Sequence, residues 1–221
     1  MIDLHTHSVF SDGELLPSEL VRRLEDMGYS CVAITDHVDS SNLDFVIPRL
    51  VKVASDLNQR QSVKVIPGVE ITHVHPELIE SLVKKARELG AEIVLAHGET
   101  IVEPVAKGTN RAAILSGVDI LAHPGLIGVE DIKLATKSSV YLEITARHDH
   151  SFTNGYVARW AKEFEARLIL NSDAHSPHEL MTRQFAQMVA HGTGLGENIF
   201  EEMLGNSRDL INKRLGHSTT Y

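Results

Sequence analysis

Cysteine, tryptophan and long apolar runs are what this 221-residue chain has least of, and each scarcity removes a class of protein. With Cys31 alone no internal disulfide can form, and its place in the apolar run Cys31-Val32-Ala33-Ile34 suits a buried small hydrophobe in a reducing, cytoplasmic setting. Nowhere do eighteen apolar residues follow one another, and the opening Met1-Ile2-Asp3-Leu4-His5 has no basic stretch followed by a long apolar one. Secretion and membrane spanning are therefore not expected. Positive charge is also short, with a formal net charge of -9. A broad basic surface for nucleic acid is not expected, because that mode of binding depends on Lys and Arg neutralising phosphates. No low-complexity tract, charge block, internal repeat or Pro/Gly-rich linker divides the chain, so one domain over residues 1–221 is expected.

What is abundant is histidine. Thirteen of them outnumber the 6 Phe and 4 Tyr together. Their placement follows from a repeated pattern of a short apolar run, a polar or glycine-containing turn, then a segment with helical periodicity. Seven runs read as buried parallel strands: 2–4, 31–34, 63–66, 93–96, 118–122, 140–144 and 168–170. Helical stripes lie between them, at Leu20, Val21, Leu24 and Met27, at Leu78, Ile79, Leu82, Val83, Ala86 and Leu89, and at Val157, Ala158, Trp160, Ala161 and Phe164. Pro17 and Pro76 suit first-turn positions. Residues 198–221 read as an amphipathic C-terminal helical tail, packed across the barrel or against a second subunit, so a homo-oligomer stays open. The alternation predicts an α/β fold, either a (β/α)7 barrel or an open doubly wound sheet.

A metal-binding residue type follows almost every predicted strand. His5 and His7 follow the first, His37 the second, Glu70 the third, His97 the fourth, His123 the fifth, and Asp173 with His175 the seventh. In a closed barrel those strand ends share one face, where the loops build the site. One strand-end histidine is ordinary, but so many together point to metal. His5 and His7 have i, i+2 spacing, so both rings leave a strand on one side and can clamp one ion. Asp12, in Ser11-Asp12-Gly13, can fold a carboxylate over the site, although Asp-Gly is also an ordinary turn. Asp36 is expected to orient a neighbouring imidazole. Imidazoles and carboxylates without thiolates suit zinc first, with manganese or iron as alternatives. Nine candidate ligands exceed the needs of one ion and imply two or three. Such a cluster can activate a bridging hydroxide and hold a phosphoryl centre in line, and phosphoester hydrolysis is a natural task for it.

His5-Thr6-His7-Ser8, Ser11-Asp12-Gly13, Ile34-Thr35-Asp36-His37, Gly68-Val69-Glu70, Ala96-His97-Gly98, Ala122-His123-Pro124-Gly125 and Ser172-Asp173-Ala174-His175 together resemble the PHP (polymerase and histidinol phosphatase) family, in order over residues 2–178. The resemblance implies a distorted single-domain (β/α)7 barrel with a trinuclear centre. It implies that His5, His7, Glu70 and Asp173 hold one ion, that Glu70, His97 and His123 hold a second, and that Asp12, His37 and His175 hold a third. Some relatives carry histidine at the position of Asp12. Asp12, Glu70, Asp173 and His175 are the expected catalytic groups.

The expected activity is hydrolysis of a small phosphomonoester, histidinol phosphate or a nucleotide-like phosphate, by a metal-bridged hydroxide. The alternatives are a PHP-type nuclease and a metal-stabilised binding domain without catalysis. Segments 98–110, with Glu99, Glu103 and Lys107, and 143–154, with Arg147, His148 and His150, are expected at the mouth, where Lys107, Arg111 or Arg147 could pair with substrate phosphate. Glu143 reads as buried support. His73 could reach substrate, His75 reads as a loop residue, His178 could line the rim, and His191 and His217 are expected in solvent.

Overall fold

The computed structural model describes residues 1–216. In chain order its elements are β1 (Ile2–Asp3), α1 (Pro17–Asp26), β2 (Cys31–Ile34), β3 (His37–Val38), α2 (Leu43–Asn58), β4 (Lys64–Ile71), α3 (Pro76–Glu88), β5 (Ile93–His97), α4 (Thr109–Leu115), β6 (Ile120–Ala122), α5 (Val129–Ser138), β7 (Tyr141–Thr145), α6 (Asn154–Glu163), β8 (Leu168–Asn171), α7 (Arg183–Gly192) and α8 (Ile199–Leu215). Every strand pairing is parallel, in the order β1-β2-β4-β5-β6-β7-β8, with β3 beside the second half of β4.

The sheet is a distorted barrel, and the open-sheet alternative falls because its two ends meet. The seam is made beyond the strands themselves. Asp173 N–H donates to His5 C=O at 3.0 Å, His7 N–H donates to Ala174 C=O at 2.9 Å, and Leu4 N–H is taken by the side chain of Asn171 at 2.9 Å. The barrel is thus closed by the segments that carry His5, His7, Asp173 and His175.

All seven expected strands form. Three departures concern what lies around them. The third strand runs on to Ile71, so Glu70 sits inside it. β3 is an added two-residue strand, offset from β2 by a break at Thr35-Asp36, and it pairs His37 with Glu70. α2 was not read from periodicity, and it contains Pro48 in its interior, a residue that ordinarily marks a boundary. Val46, Ile47, Leu50 and Ala54 bury its inner face and hold it despite the missing N–H.

The core is aliphatic and continuous between barrel and helices, with Leu95, Ile93, Ile66 and Leu4 fully buried, and Cys31 buried among them. Truncating Leu95 to alanine is expected to cost about 2–5 kcal/mol in denaturant unfolding. The tail forms α8, whose Ile199, Phe200, Met203, Leu204, Leu210 and Ile211 are buried and which packs on β8 and β1. Arg214 at its end and Arg87 of α3 both grip the buried carboxylate of Asp119, which also accepts from Val94 N–H at 2.8 Å. This ties the helices to the strand-start end of the barrel, away from the histidines. His217 lies outside the described residues. No helix among the described residues is long and apolar enough to cross a membrane.

Candidate metal centre

At the strand ends Asp12, His37, His97, His123, Asp173 and His175 line one cavity of about 210 Å³, with His5, His7 and Glu70 beneath it. Its floor is buried. His5, His7, Glu70, His123 and Asp173 are all at most 3% exposed. His5 Nε2 lies 3.3 Å from Glu70 Oε2 and 3.5 Å from Asp173 Oδ1, while His7 Nε2 lies 3.2 Å from the same Asp173 oxygen. His123 Nε2 is 3.5 Å from both Glu70 Oε1 and Asp173 Oδ2. Such separations match the ligand-to-ligand edges of a shell whose centre would lie about 2.0–2.2 Å from each atom.

Other observations fit a cation there. His5 Nε2, both ring nitrogens of His7, His123 Nδ1 and Glu70 Oε1 are buried with no hydrogen-bond partner. Orphaned buried polar atoms are costly unless something else satisfies them. Burial and then the neighbouring imidazoles hold His7 and His123 well below the usual imidazole range, so both rings are neutral, the form that ligates metal. Burial pushes the Asp173 carboxyl up to about 7, against the pull of His5. Glu70 is held well below the carboxylate range, because His5 and His37 outweigh its burial. The neighbouring Glu70 carboxylate adds to the effect of burial on Asp173.

The floor is also braced. Glu143 on β7 takes His5 Nδ1–H at 2.8 Å and the Asn171 amide at 2.8 Å, and its second oxygen accepts from His123 N–H at 3.0 Å. That fixes the His5 proton on Nδ1 and turns Nε2 inward. Glu143 is the buried support expected of it. His123 and Asp173, together with His73 nearer the rim, have positive φ of 25°, 54° and 53°. Three non-glycine residues in this sparsely populated region around one cavity are a concentration of strain of the kind found at functional sites.

The outer wall is looser. His175 Nε2 stands 3.2 Å from Asp12 Oδ1 and 3.4 Å from His37 Nε2, and His37 Nε2 is 3.6 Å from Asp12 Oδ1. His175 Nδ1–H donates to Asp173 C=O at 2.9 Å, which frees Nε2 for the cluster. Asp12 is carried by a tight turn in which Gly13 N–H donates to Ser8 C=O at 3.0 Å. A Cβ on Gly13 would lie 2.5 Å from His7 O, so only glycine fits that approach. Asp36 does not orient an imidazole. Its carboxylate accepts from Ser8 N–H, Ser8 Oγ–H, Ser11 N–H and Ser11 Oγ–H at 2.7 to 3.1 Å and so pins the turn that presents Asp12.

The donor atoms that converge within 4.8 Å fall into overlapping sets: His5, His7 and Glu70; His5, His123 and Asp173; His7, Asp12, His37 and His175; His97, His123 and His150; and His73, His97 and Glu103. All nine residues picked from the sequence are among them. His73, Glu103 and His150 are additional, and His97 converges with them. Glu103 and His150 had been read only as members of mouth segments whose conformation local patterns do not report.

The three cations proposed for substrate are separated by the structure. Arg147 lines the cavity, with its guanidinium against His175 and 3.0 Å from Asp173 C=O. Arg111, on α4, is taken up by Asp131 at 2.7 Å and does not line the cavity. Lys107 is exposed and outside the lining. His148 is exposed beside Asp149, His75 accepts from Glu77 N–H as a helix cap, and His178 and His191 are exposed.

Comparison with known proteins bears on the same residues. The PHP domain family matches residues 3–108, the stretch that holds His5 to His97. An uncharacterized protein of Methanocaldococcus jannaschii is 46% identical over 204 residues, covering 91% of this chain and 94% of its own. Ribonuclease P protein component 3 of Methanosarcina barkeri is 26% identical over 212 residues, covering 89% of this chain and 82% of its own. The 5'-3' exoribonuclease Rnm of Salmonella typhimurium is 26% identical over 220 residues, covering 86% and 70%. Among solved structures, ochratoxinase of A. niger superposes with a TM-score of 0.64 at 12% identity, covering 95% of this chain and 70% of that one, a likeness of fold.

Proposed function

This chain belongs to the PHP domain family of metal-dependent hydrolases, and from that premise we propose that it hydrolyses a phosphoester of a small, nucleotide-like substrate at a centre of two or three divalent ions. The observation that carries the reading is the buried floor, where five ligand side chains converge with ring nitrogens and a carboxylate oxygen left unpartnered. Its donor set of imidazole and carboxylate favours zinc, with manganese or iron as alternatives. Divalent ions held there supply positive charge for a phosphoryl group and a water acidic enough to attack near neutral pH.

The protein's own groups then divide the work. Glu143 and the backbone at Asp173 hold the rings of His5 and His175 in ligating orientation. Arg147, about a quarter exposed at the cavity edge, offers a guanidinium to a phosphate oxygen, and its fork suits that geometry. Asp12, kept ionised on the rim by His175 and His37 against the effect of partial burial, is placed to take a proton from an incoming water. The cavity admits a phosphoryl group with few further atoms, so the rest of the substrate lies on the rim. Val9, Ile101, Leu126 and Phe152, on segments that follow β1, β5, β6 and β7, expose apolar surface on that face, which suits the base of a leaving nucleoside better than a highly charged group.

A second reading, an exonuclease acting at a strand end, is favoured by the name of the exoribonuclease relative and uses the same centre. Purified protein loaded with Zn²⁺, Mn²⁺ or Fe²⁺ and assayed against phosphomonoesters, mononucleotides, and short RNA and DNA separates them. Faster turnover of mononucleotides supports the first reading. Release of nucleotides from RNA ends supports the second, and no turnover with any ion sinks both.

A further inference from the structure

Glu103 sits in the loop between β5 and α4 and receives three imidazoles. His73 Nε2 is 2.9 Å and His97 Nε2 is 3.0 Å from its Oε2, and His150 Nε2 is 3.5 Å from its Oε1. His97 Nδ1 is 3.1 Å from Gly98 C=O, which can only accept, so Nδ1 carries the ring's hydrogen and Nε2 of the neutral ring presents a lone pair. A carboxylate oxygen also presents only lone pairs. Two acceptors facing each other at this distance need a positive centre between them.

A neutral His73 can donate from Nε2, but a proton between His97 and Glu103 would make His97 an imidazolium with its ring 4.6 Å from that of His73 and 4.5 Å from that of His123. A single divalent cation satisfies all three groups and leaves His97 neutral. Donor atoms 2.9 to 3.0 Å apart lie a few tenths of an ångström inside the roughly 3.3 Å edge of a tetrahedral site with bonds of about 2.0–2.1 Å, so a small outward shift of Glu103 admits the cation. The loop is built to hold Glu103 in place. Glu99 accepts from Gly108 N–H at 2.9 Å and Asn110 N–H at 3.0 Å, and the Asn110 side chain returns bonds to Glu99 N–H and Pro124 C=O, each at 2.9 Å. His150 is steadied by Thr100, whose hydroxyl lies 2.9 Å from its Nδ1.

We propose that His73, His97 and Glu103 bind a divalent cation of the zinc type at the cavity mouth, with His150 beside it and an open position toward the cavity, so that the single free nitrogen of His97 serves this ion and not one shared with Glu70 and His123. The site uses the loop after β4, the last residue of β5 and the loop that follows it, apart from the floor formed by His5, His7 and Asp173. It stands whether or not the chain hydrolyses phosphoesters.

The test counts ions. Wild-type protein, Glu103→Gln, His73→Ala and the control His148→Ala are stripped with chelator, reloaded with Zn²⁺, dialysed and analysed for metal per chain, with circular dichroism to confirm folding. Glu103→Gln and His73→Ala should each carry one ion fewer than wild type and the control. Competition with a chromophoric chelator should lose one binding step, and the Co²⁺-loaded protein should lose part of its visible absorption. Both variants retaining the full complement and the same Co²⁺ spectrum would overturn the proposal and leave Glu103 an acceptor of ring N–H groups. A wild-type protein that binds the ions but turns over no substrate would defeat the hydrolase reading and leave this count unaffected.

Discussion

The floor and the outer wall of the cavity use the same kinds of side chain and differ in what holds them. On the floor, His5, His7, Glu70, His123 and Asp173 stand on strands or on the seam that closes the barrel, are excluded from water, and lean on Glu143 and Asn171. On the wall, Asp12, His175 and Glu103 come from turns and loops and His37 from the two-residue strand β3, and all four are 11% to 56% exposed at the side chain. Where a ligand is braced by strand hydrogen bonds its position does not depend on the ion. Where it rides on a loop, the ion does part of the holding. The floor is therefore expected to be unforgiving and the wall adjustable.

The largest effect should come from Asp173→Asn or His5→Ala, which break the floor. Turnover should fall below detection and metal content should drop, with the circular dichroism of the barrel retained. Wild-type turnover in either variant would remove that residue from the floor and dissolve the distinction. Next is Glu143→Gln, which touches no ion. Losing its charge should weaken floor binding by about 10–100-fold, read by chelator competition. An unchanged affinity would mean that the brace holds shape alone. Ion loading should stabilise the fold. At about 100 times Kd a single bound ion adds about 2.7 kcal/mol, seen as a raised Tm that chelator reverses. A Tm indifferent to metal would show the floor equally stable without its cation, against the orphaned atoms found there.

A smaller, wall-type effect is expected for Arg147→Lys. It keeps the charge but loses the fork, so KM should rise about tenfold with kcat less affected. A pure kcat loss would instead place Arg147 in the chemistry or in the support of His175. Smallest of all is Arg111→Ala. Its partner Asp131 and its distance from the cavity lining predict unchanged kinetics and a stability change within about 0.5 kcal/mol. A kinetic defect there would extend the wall to α4.

The legible part of the site is the part the strands carry. His5 and His7, Glu70, His97, His123 and Asp173 could be picked out because each lies at or near the end of an apolar run, and parallel βα units put those ends on one face. Glu143 could be read as support because it is an acidic residue inside a buried strand, where only a partnered carboxylate survives. Asp36 was misassigned because proximity in sequence to His37 suggested pairing, whereas the break between β2 and β3 turns its carboxylate to Ser8 and Ser11, more than twenty residues earlier. Glu103, 30 residues from His73 and 47 from His150, left no local trace. Nor did Arg111 differ in sequence from Arg147; only the direction in which α4 presents it separates them.

Sequence alone determined the α/β alternation, the number of barrel strands and the set of nine candidate ligands at or beyond the strand ends, because hydrophobic period and residue chemistry are local properties. Tertiary structure decided that the sheet closes through the ligand segments, that Arg147 and not Arg111 faces the cavity, and that Glu103, His73 and His150 join His97. Those outcomes depend on hydrogen bonds across the seam and on loops pinned from elsewhere in the chain, such as Glu99 to Asn110 and Asn110 to Pro124. Contacts of that kind are set by where distant segments meet, and a linear pattern carries no record of it.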